Sequence, residues 1–412
     1  MSAVLEKFLR YVRIDTQSDS HSDSTPSTAR QLRLLNLLVE EMTAMGLSDV
    51  GIDGYGYVTG RIPATEGCAD TPVVAFIAHV DTSPDVSGCG VQPRVVAYRG
   101  GDITLEGAPG LAIAAADLRG YVGQCLVVTD GTTLLGADDK AGVAAIMAAS
   151  EYLLAHPEVA HGEIKLPFTP DEEIGRGMDH FDVAAFGADY AYTVDGGCPG
   201  SLEYETFHAA AAEVTVHGVN FHPGYAKGRM VNAQHLAMQI AEMLPSDERP
   251  ETTEGREGFF HLTGIEGTVE KTVMHYIIRD HDRTRFEERK KQMAAVVEAI
   301  NGGCTAPPVR SAAELKITDQ YHNMGEVIGK HGSLLDIARR AMREAGIEPV
   351  ETAVRGGTDG SRLSFMGLPC PNIFSGAENM HSRTEFVSVE AMEKAAEVIV
   401  RIAQLFCKKT FA

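Results

Sequence analysis

The 412-residue chain contains no tryptophan, and only 7% of it is aromatic. Its interior must therefore be filled mainly by aliphatic and small side chains. No Cys-x-x-Cys pair occurs. The seven cysteines, Cys68, Cys89, Cys125, Cys198, Cys304, Cys370 and Cys407, are scattered and odd in number. That argues against a disulfide framework and a thiolate zinc site, and it suits a reducing compartment. Positive charge is also scarce: 36 Lys and Arg face 57 Asp and Glu, a net charge of −21. Such a chain repels phosphate backbones and anionic lipid, so neither nucleic acid nor a membrane is expected as a partner. No apolar run is long enough to span a bilayer. The start, Met-Ser-Ala-Val-Leu-Glu-Lys-Phe, lacks a basic segment followed by an apolar one, so the cytoplasm is expected. Nucleophile and phosphate-loop signatures are missing too. There is no Gly-x-Ser-x-Gly elbow, and the glycine-rich Gly356–Gly360 lacks the Gly-Lys-Ser/Thr of a phosphate loop.

What is present is a large hydrophobic share, 44%. It excludes global disorder, and the length exceeds one ordinary core, so two domains are expected. Residues 72–78 form a continuous apolar run without alternation, as in a central strand of a parallel sheet. The run ends in His79-Val80-Asp81. Residues two apart in a strand point the same way, so His79 and Asp81 share a side at the strand's carboxyl end, where open α/β sheets hold ligands. The pattern recurs. Leu134-Leu-Gly-Ala-Asp138-Asp139-Lys-Ala-Gly leads from an apolar strand end into a small-residue helix. Residues 162–168 read as a strand followed by Thr169-Pro-Asp-Glu172-Glu173-Ile-Gly. Residues 190–194 read as a strand ending in Asp195-Gly-Gly. Taken singly, each has a plain explanation: a helix cap, an acidic turn, a satisfied core histidine. Strand after strand delivering an acid or histidine at the same end is harder to assign to chance.

Residues 208–318 follow another rhythm, strand-helix-strand-strand-helix-strand, which suits a compact α+β module inserted into the first domain. The expected division is 1–207 and 319–412 for a catalytic domain with a mixed, largely parallel sheet, and 208–318 for a lid. His381 lies in a polar loop late in the chain. Collected, His79, Asp138, Glu173, Asp195 and His381 offer two imidazoles and three carboxylates, a donor set for two Zn²⁺ ions per subunit bridged by one carboxylate. Asp138, in the central turn, is the bridging candidate. Glu172 then remains to take a proton from a shared water and return it to a leaving amine, and Asp81 to orient His79.

These segments resemble tripeptide aminopeptidases of the di-zinc exopeptidase family, related to bacterial carboxypeptidases and deacylases. The resemblance rests on His79-Val-Asp-Thr-Ser-Pro, Leu134–Gly142, Phe168–Gly175, Tyr192-Thr-Val-Asp-Gly-Gly and His381. It extends to His222-Pro-Gly-x-Ala-Lys-Gly-x-Met-Val-Asn, His275-Tyr-Ile-Ile-Arg279-Asp and Arg355-Gly-Gly-Thr-Asp-Gly, and so covers essentially the whole chain. It implies that His79 and Asp195 hold one ion, Glu173 and His381 the other, and that Asp138 bridges. It implies Glu172 as general base acting on a metal-bridging hydroxide, Asp81 in support, and a cis Asp138–Asp139 peptide. His222, Arg279 and, more weakly, Arg355 resemble residues that meet substrate. The implied reaction releases the N-terminal residue of a short peptide, with Arg279 on the C-terminal carboxylate acting as a length ruler. A carboxypeptidase or N-acyl amino-acid deacylase with the same centre is the alternative, and a non-catalytic peptide-binding protein a more distant one. Monomer and homodimer both remain open.

Overall fold

The computed structural model describes residues 2–303 and 312–408, so Cys304 lies outside the described residues. The chain divides into two compact units, residues 1–204, 324–352 and 358–412 in the first and residues 205–323 and 353–357 in the second.

The first unit is built on an eight-stranded mixed sheet. Its middle is parallel: Val74–His79 lies between Ile164–Thr169 and Tyr190–Gly196, and Asn372–Phe374 runs parallel to the latter. Antiparallel strands, including Ser48–Ile52 and Val58–Ile62, complete the sheet toward its margins. Every residue of Val74–His79 is buried. Val74, Phe76 and Ala78 enter the large core beneath the helices, while Ala75 and Ile77 enter a smaller core with Phe181 and Leu363 on the opposite face. This two-sided burial is why the strand's sequence does not alternate.

Helices Ala3–Tyr11, Gln31–Met45, Ala137–Ala155, Gly332–Glu344 and Val389–Cys407 contribute to the large core. Small residues along Ala137–Ala155, among them Ala141, Gly142, Ala144 and Ala145, are fully buried. A side chain at Gly142 would collide with the Val194 carbonyl and the Asp139 carboxylate, so a Cβ there is incompatible with the helix's approach to the sheet. The second helix begins only at Gln31, and before it Ser27 donates to Asp171 through both its backbone N–H and its hydroxyl. A smaller sheet orders Ala377–Glu378, Phe386–Ser388, Cys125–Val128 and Arg94–Ala97, and so draws residues far apart in the chain together.

The cysteine expectation needs correction. Cys68 and Cys407 are joined by a disulfide, with Cα atoms 5.5 Å apart and 339 residues between them. The strand-flanking loop and the last helix converge there, which the spacing of scattered cysteines does not reveal.

The second unit is a four-stranded antiparallel sheet, ordered Phe259–Gly267, Lys271–Asp280, His208–His217 and Ala313–Tyr321. With helices Ala233–Met243 and Arg283–Gly303 it follows the strand-helix-strand-strand-helix-strand order. Thr272, Met274, Tyr276, Ile278 and Asp280 are buried and alternate with more open neighbours, the signature of a sheet covered on one face. The helices' Ala233, Ala237, Ile240, Phe286, Met293 and Val297 fill that face.

Candidate metal centre

Three parallel strands end beside one another and set the site's floor. Val74–His79 delivers His79, Ile164–Thr169 leads into Glu172 and Glu173, and Tyr190–Gly196 carries Asp195. Asp138 arrives at the entry to helix Ala137–Ala155, where Gly136 is left-handed (φ 77°) and the Asp138–Asp139 peptide is cis. His381 sits between strands Ala377–Glu378 and Phe386–Ser388, itself left-handed at φ 59°.

Two clusters result, and they share one residue. His79, Asp138 and Asp195 place a ligand atom each within 4.8 Å of one another, and so do Asp138, Glu173 and His381. His79 Nε2 lies 3.0 Å from Asp138 Oδ1 and 3.5 Å from Asp195 Oδ1. His381 Nε2 lies 3.3 Å from Asp138 Oδ2 and 2.9 Å from Glu173 Oε2. Asp138 thus turns one oxygen to each cluster.

The residues fit a pair of cations. Three carboxylates crowd a largely buried site, and Glu173 Oε1 has no hydrogen-bond partner among the described residues. Desolvation, with Asp138 beside it, pushes Glu173 up to about 8, and desolvation pushes Asp195 up to about 7. Burial also works against Asp138, yet the His381 and His79 imidazoles hold it below its ordinary value. His79 is driven down by burial but more strongly up by Asp195, Asp138 and Asp81, and ends well above its usual range. Hydrogen bonds to Asp138 and Glu173 bring His381 up to about 11. The protonation pattern is that of a negative cavity gathering protons, and divalent cations would serve the same carboxylates.

A buried ring of supports holds the donors. Asp81 is fully buried. Its carboxylate lies 3.3 Å from His79 Nδ1 and accepts the backbone N–H groups of Glu172 at 3.0 Å and Glu173 at 3.2 Å. His79 Nδ1 lies 3.1 Å from the Asp81 backbone carbonyl, so Asp81 holds the histidine through its main chain as well as the acidic turn through its carboxylate. Glu172 reaches the surface in part, yet desolvation pushes its carboxyl well above the ordinary range, with Asp195 and Asp359 adding to the rise and His79 opposing it.

Several supports carry no signal in the sequence. Asp171, left-handed at φ 60°, accepts from Ser27 and Gln31 and so anchors the turn before Glu172. Asp359 accepts from Thr169 at 2.8 Å, and Lys140, buried in the same region, donates to the Ile14 carbonyl. Glu385 accepts three backbone N–H groups of residues 135–138. Only the Asp138-Asp139-Lys140 run, with a cation following two acids, hinted at any of them.

The substrate-binding candidates belong to the second unit. His222 is exposed and its Nδ1 accepts from the Gly224 N–H, which leaves the proton on Nε2. Arg279 donates through Nη1 to the carbonyls of Ala210 and Ile278 and lies over the Tyr321 ring. Arg355 donates to the carbonyls of Gly255 and Glu257 and to Thr253, and packs over Phe207 and Phe259, so its guanidinium braces that loop.

Residues 129–405 match peptidase family M20/M25/M40, and the chain belongs to that family. It is a hydrolase, an aminopeptidase of the metallopeptidase class. Its place within the family is the peptidase T group: it is 52% identical over 409 residues to peptidase T of Exiguobacterium sibiricum, covering 98% of each chain. Among solved structures it resembles aminopeptidase PepT of Bacillus cereus, with a TM-score of 0.76 and 22% identity over 99% of this chain and 98% of that one. It also resembles YXEP of Bacillus subtilis, described as a dinuclear metal-binding peptidase of the M20 family, at a TM-score of 0.67 and 15% identity over 98% of both chains. At those identities the likeness speaks for the fold.

Proposed function

We propose that the chain is a zinc-dependent aminopeptidase that releases the N-terminal residue of tripeptides. The observation that carries the metal reading is Asp138, with one carboxylate oxygen facing His79 and the other facing His381. His79 and Asp195 would hold one Zn²⁺, and Glu173 and His381 the other. Imidazole and carboxylate donors suit zinc. Bound there, the pair would polarise the scissile carbonyl and lower the pKa of water toward ~7.

The chain's own residues supply the proton path and the alignment. The Glu172 carboxylate accepts a proton from the attacking water and gives it to the departing amine nitrogen. Its raised pKa suits both halves of that task, since it makes the carboxylate a stronger base toward water and lets the carboxyl keep the proton until the amine takes it. Asp81 keeps His79 in one tautomer because its backbone carbonyl accepts from Nδ1–H, with its carboxylate close by, so Nε2 presents its lone pair. His222, through Nε2–H, is assigned to a substrate carbonyl and Arg279 to the C-terminal carboxylate, with Arg355 a lesser candidate. A carboxylate-reading arginine explains tripeptide preference, because length then decides whether both ends are satisfied. Residues 1–207 and 319–412 are taken as the catalytic domain and 208–318 as its lid.

Among the described residues no helix is long and apolar enough to cross a membrane. We assign the protein to the cytoplasm. The decisive experiment pairs metal analysis with a peptide panel. Two zinc ions per chain are expected, with turnover of free tripeptides, slower turnover of tripeptide amides, and none of N-acetylated tripeptides. Equal rates on the amides would remove the ruler, and hydrolysis of the acetylated peptides would turn the reading toward a deacylase or carboxypeptidase.

A further inference from the structure

We propose that Glu385 is a positioning residue that sets the spacing between Asp138 and His381, and with it the geometry of the metal centre. The proposal rests on the di-zinc reading above. Glu385 is 1% exposed. One carboxylate oxygen accepts the N–H groups of Leu135 and Gly136, both at 2.8 Å, and the other accepts the N–H of Asp138 at 3.0 Å. The turn that presents the shared carboxylate is therefore wrapped around a side chain that enters from 250 residues away in sequence.

Glu385 also ends the loop that carries His381. That loop is stapled within itself: Ser382 Oγ donates to the Asn379 carbonyl at 2.7 Å, and Asn379 donates to the Thr384 carbonyl. Immediately after Glu385 the chain pairs with the strand that leads toward Asp138, Phe386 opposite Val128. The His381 loop and the Asp138 turn thus leave neighbouring strands, and the Glu385 carboxylate locks one onto the other close to the ligand atoms. His381 Nε2 and Asp138 Oδ2, 3.3 Å apart, owe their spacing to this lock. Asp81 does the corresponding work on the other side, where it ties the Glu172–Glu173 turn to His79. Each half of the centre is therefore fixed by a buried carboxylate that accepts backbone N–H groups.

The test compares zinc affinity with stability in the full chain. Glu385→Gln keeps the length but turns an NH₂ group toward backbone N–H donors. Glu385→Asp keeps the charge but falls one methylene short. Glu390→Gln is the control: Glu390 likewise accepts a backbone N–H, that of Cys125, without touching the ligand loops. Zn²⁺ dissociation constants by chelator competition, and melting temperatures of the metal-free proteins, are measured for the wild type and the three variants. Removing a support behind a metal ligand costs roughly 10–100-fold in affinity. That loss is expected for Glu385→Gln, a smaller one for Glu385→Asp, and wild-type affinity for Glu390→Gln even where its melting temperature falls. Wild-type zinc affinity in Glu385→Gln, or losses in Glu385→Gln and Glu390→Gln that merely track melting temperature, would overturn the proposal. A wild-type chain that takes up no zinc would instead overturn the metal reading on which it rests.

Discussion

The surroundings of Asp138 and Glu172 suit them to the different roles proposed for them. Asp138 is held below its usual pKa because two imidazoles flank it, so it stays an anion with both oxygens in use. Glu172 is pushed up, and among the described residues no imidazole lies at salt-bridge distance from its carboxylate, which leaves it able to gain and lose a proton. Replacing Glu172 by Gln keeps shape and removes that capacity. Its kcat should fall by roughly 10²–10⁴, the usual worth of a positioned proton carrier, while zinc content stays at the wild-type level. Single-turnover rates alongside metal analysis check this, and a Gln variant with normal kcat would take the proton-carrying role from Glu172. At this scale the sequence brought out the strand-end residues that the structure gathers, with Asp81 beside them, and hid the other groups packed behind them. A histidine or acid at the end of an apolar strand is visible because strand and ligand are contiguous. Asp171, Asp359 and Glu385 act across 140 or more residues, and a lone acid in a loop looks the same whether it accepts buried N–H groups or faces water.

Among the elements, length and environment decided what was readable. The helices Ala137–Ala155, Gly332–Glu344 and Val389–Cys407 are long enough to repeat a helical period several times, which is what makes such elements readable. The strand Asn372–Phe374 is different. It lies inside the main sheet, between Tyr190–Gly196 and Ser201–Glu205, yet it has three residues, too few to show a period. Ser48–Ile52 and Val58–Ile62 were equally silent, since glycine and charged side chains interrupt them. The last helix has a fastening that no periodicity predicts, the Cys407–Cys68 bond. Closing so long a loop restricts the unfolded chain, and disulfides of this kind typically contribute ~2–4 kcal/mol. A reductant should therefore lower the melting temperature of the wild-type protein and leave that of Cys68→Ser unchanged. Identical melting of oxidised and reduced wild-type protein would show that the bond carries no stability.

For the whole molecule, the acids gathered at the strand ends tie stability to pH and metal together. In the metal-free protein Glu173 is raised from 4.5 to about 8, and Asp195 from 3.8 to about 7. Between those limits the folded chain holds protons that the unfolded chain has released, so stability falls as pH rises toward 8. His381, raised from 6.5 to about 11, acts in the same direction: its contribution is complete below 6.5 and fades as pH climbs toward 11. Asp138, lowered, has the opposite sign, but its contribution is lost only when pH drops below the ordinary carboxylate range. Stripped of metal, the protein should melt highest at mildly acidic pH and progressively lower toward pH ~8.5. Zinc bound as proposed would reverse the trend at the site, because its ligands would have to shed their protons to bind it and its affinity would grow as they do. The stabilisation it adds follows ligand concentration over dissociation constant. The net charge of −21 destabilises loaded and stripped protein alike as pH rises, so the gap between the two melting curves is the diagnostic quantity. That gap should widen steadily from pH ~5.5 to ~8.5. Parallel curves over the same range would mean that the protons and the metal do not compete for His79, Asp138, Glu173, Asp195 and His381, and that the cluster is not where the metal binds.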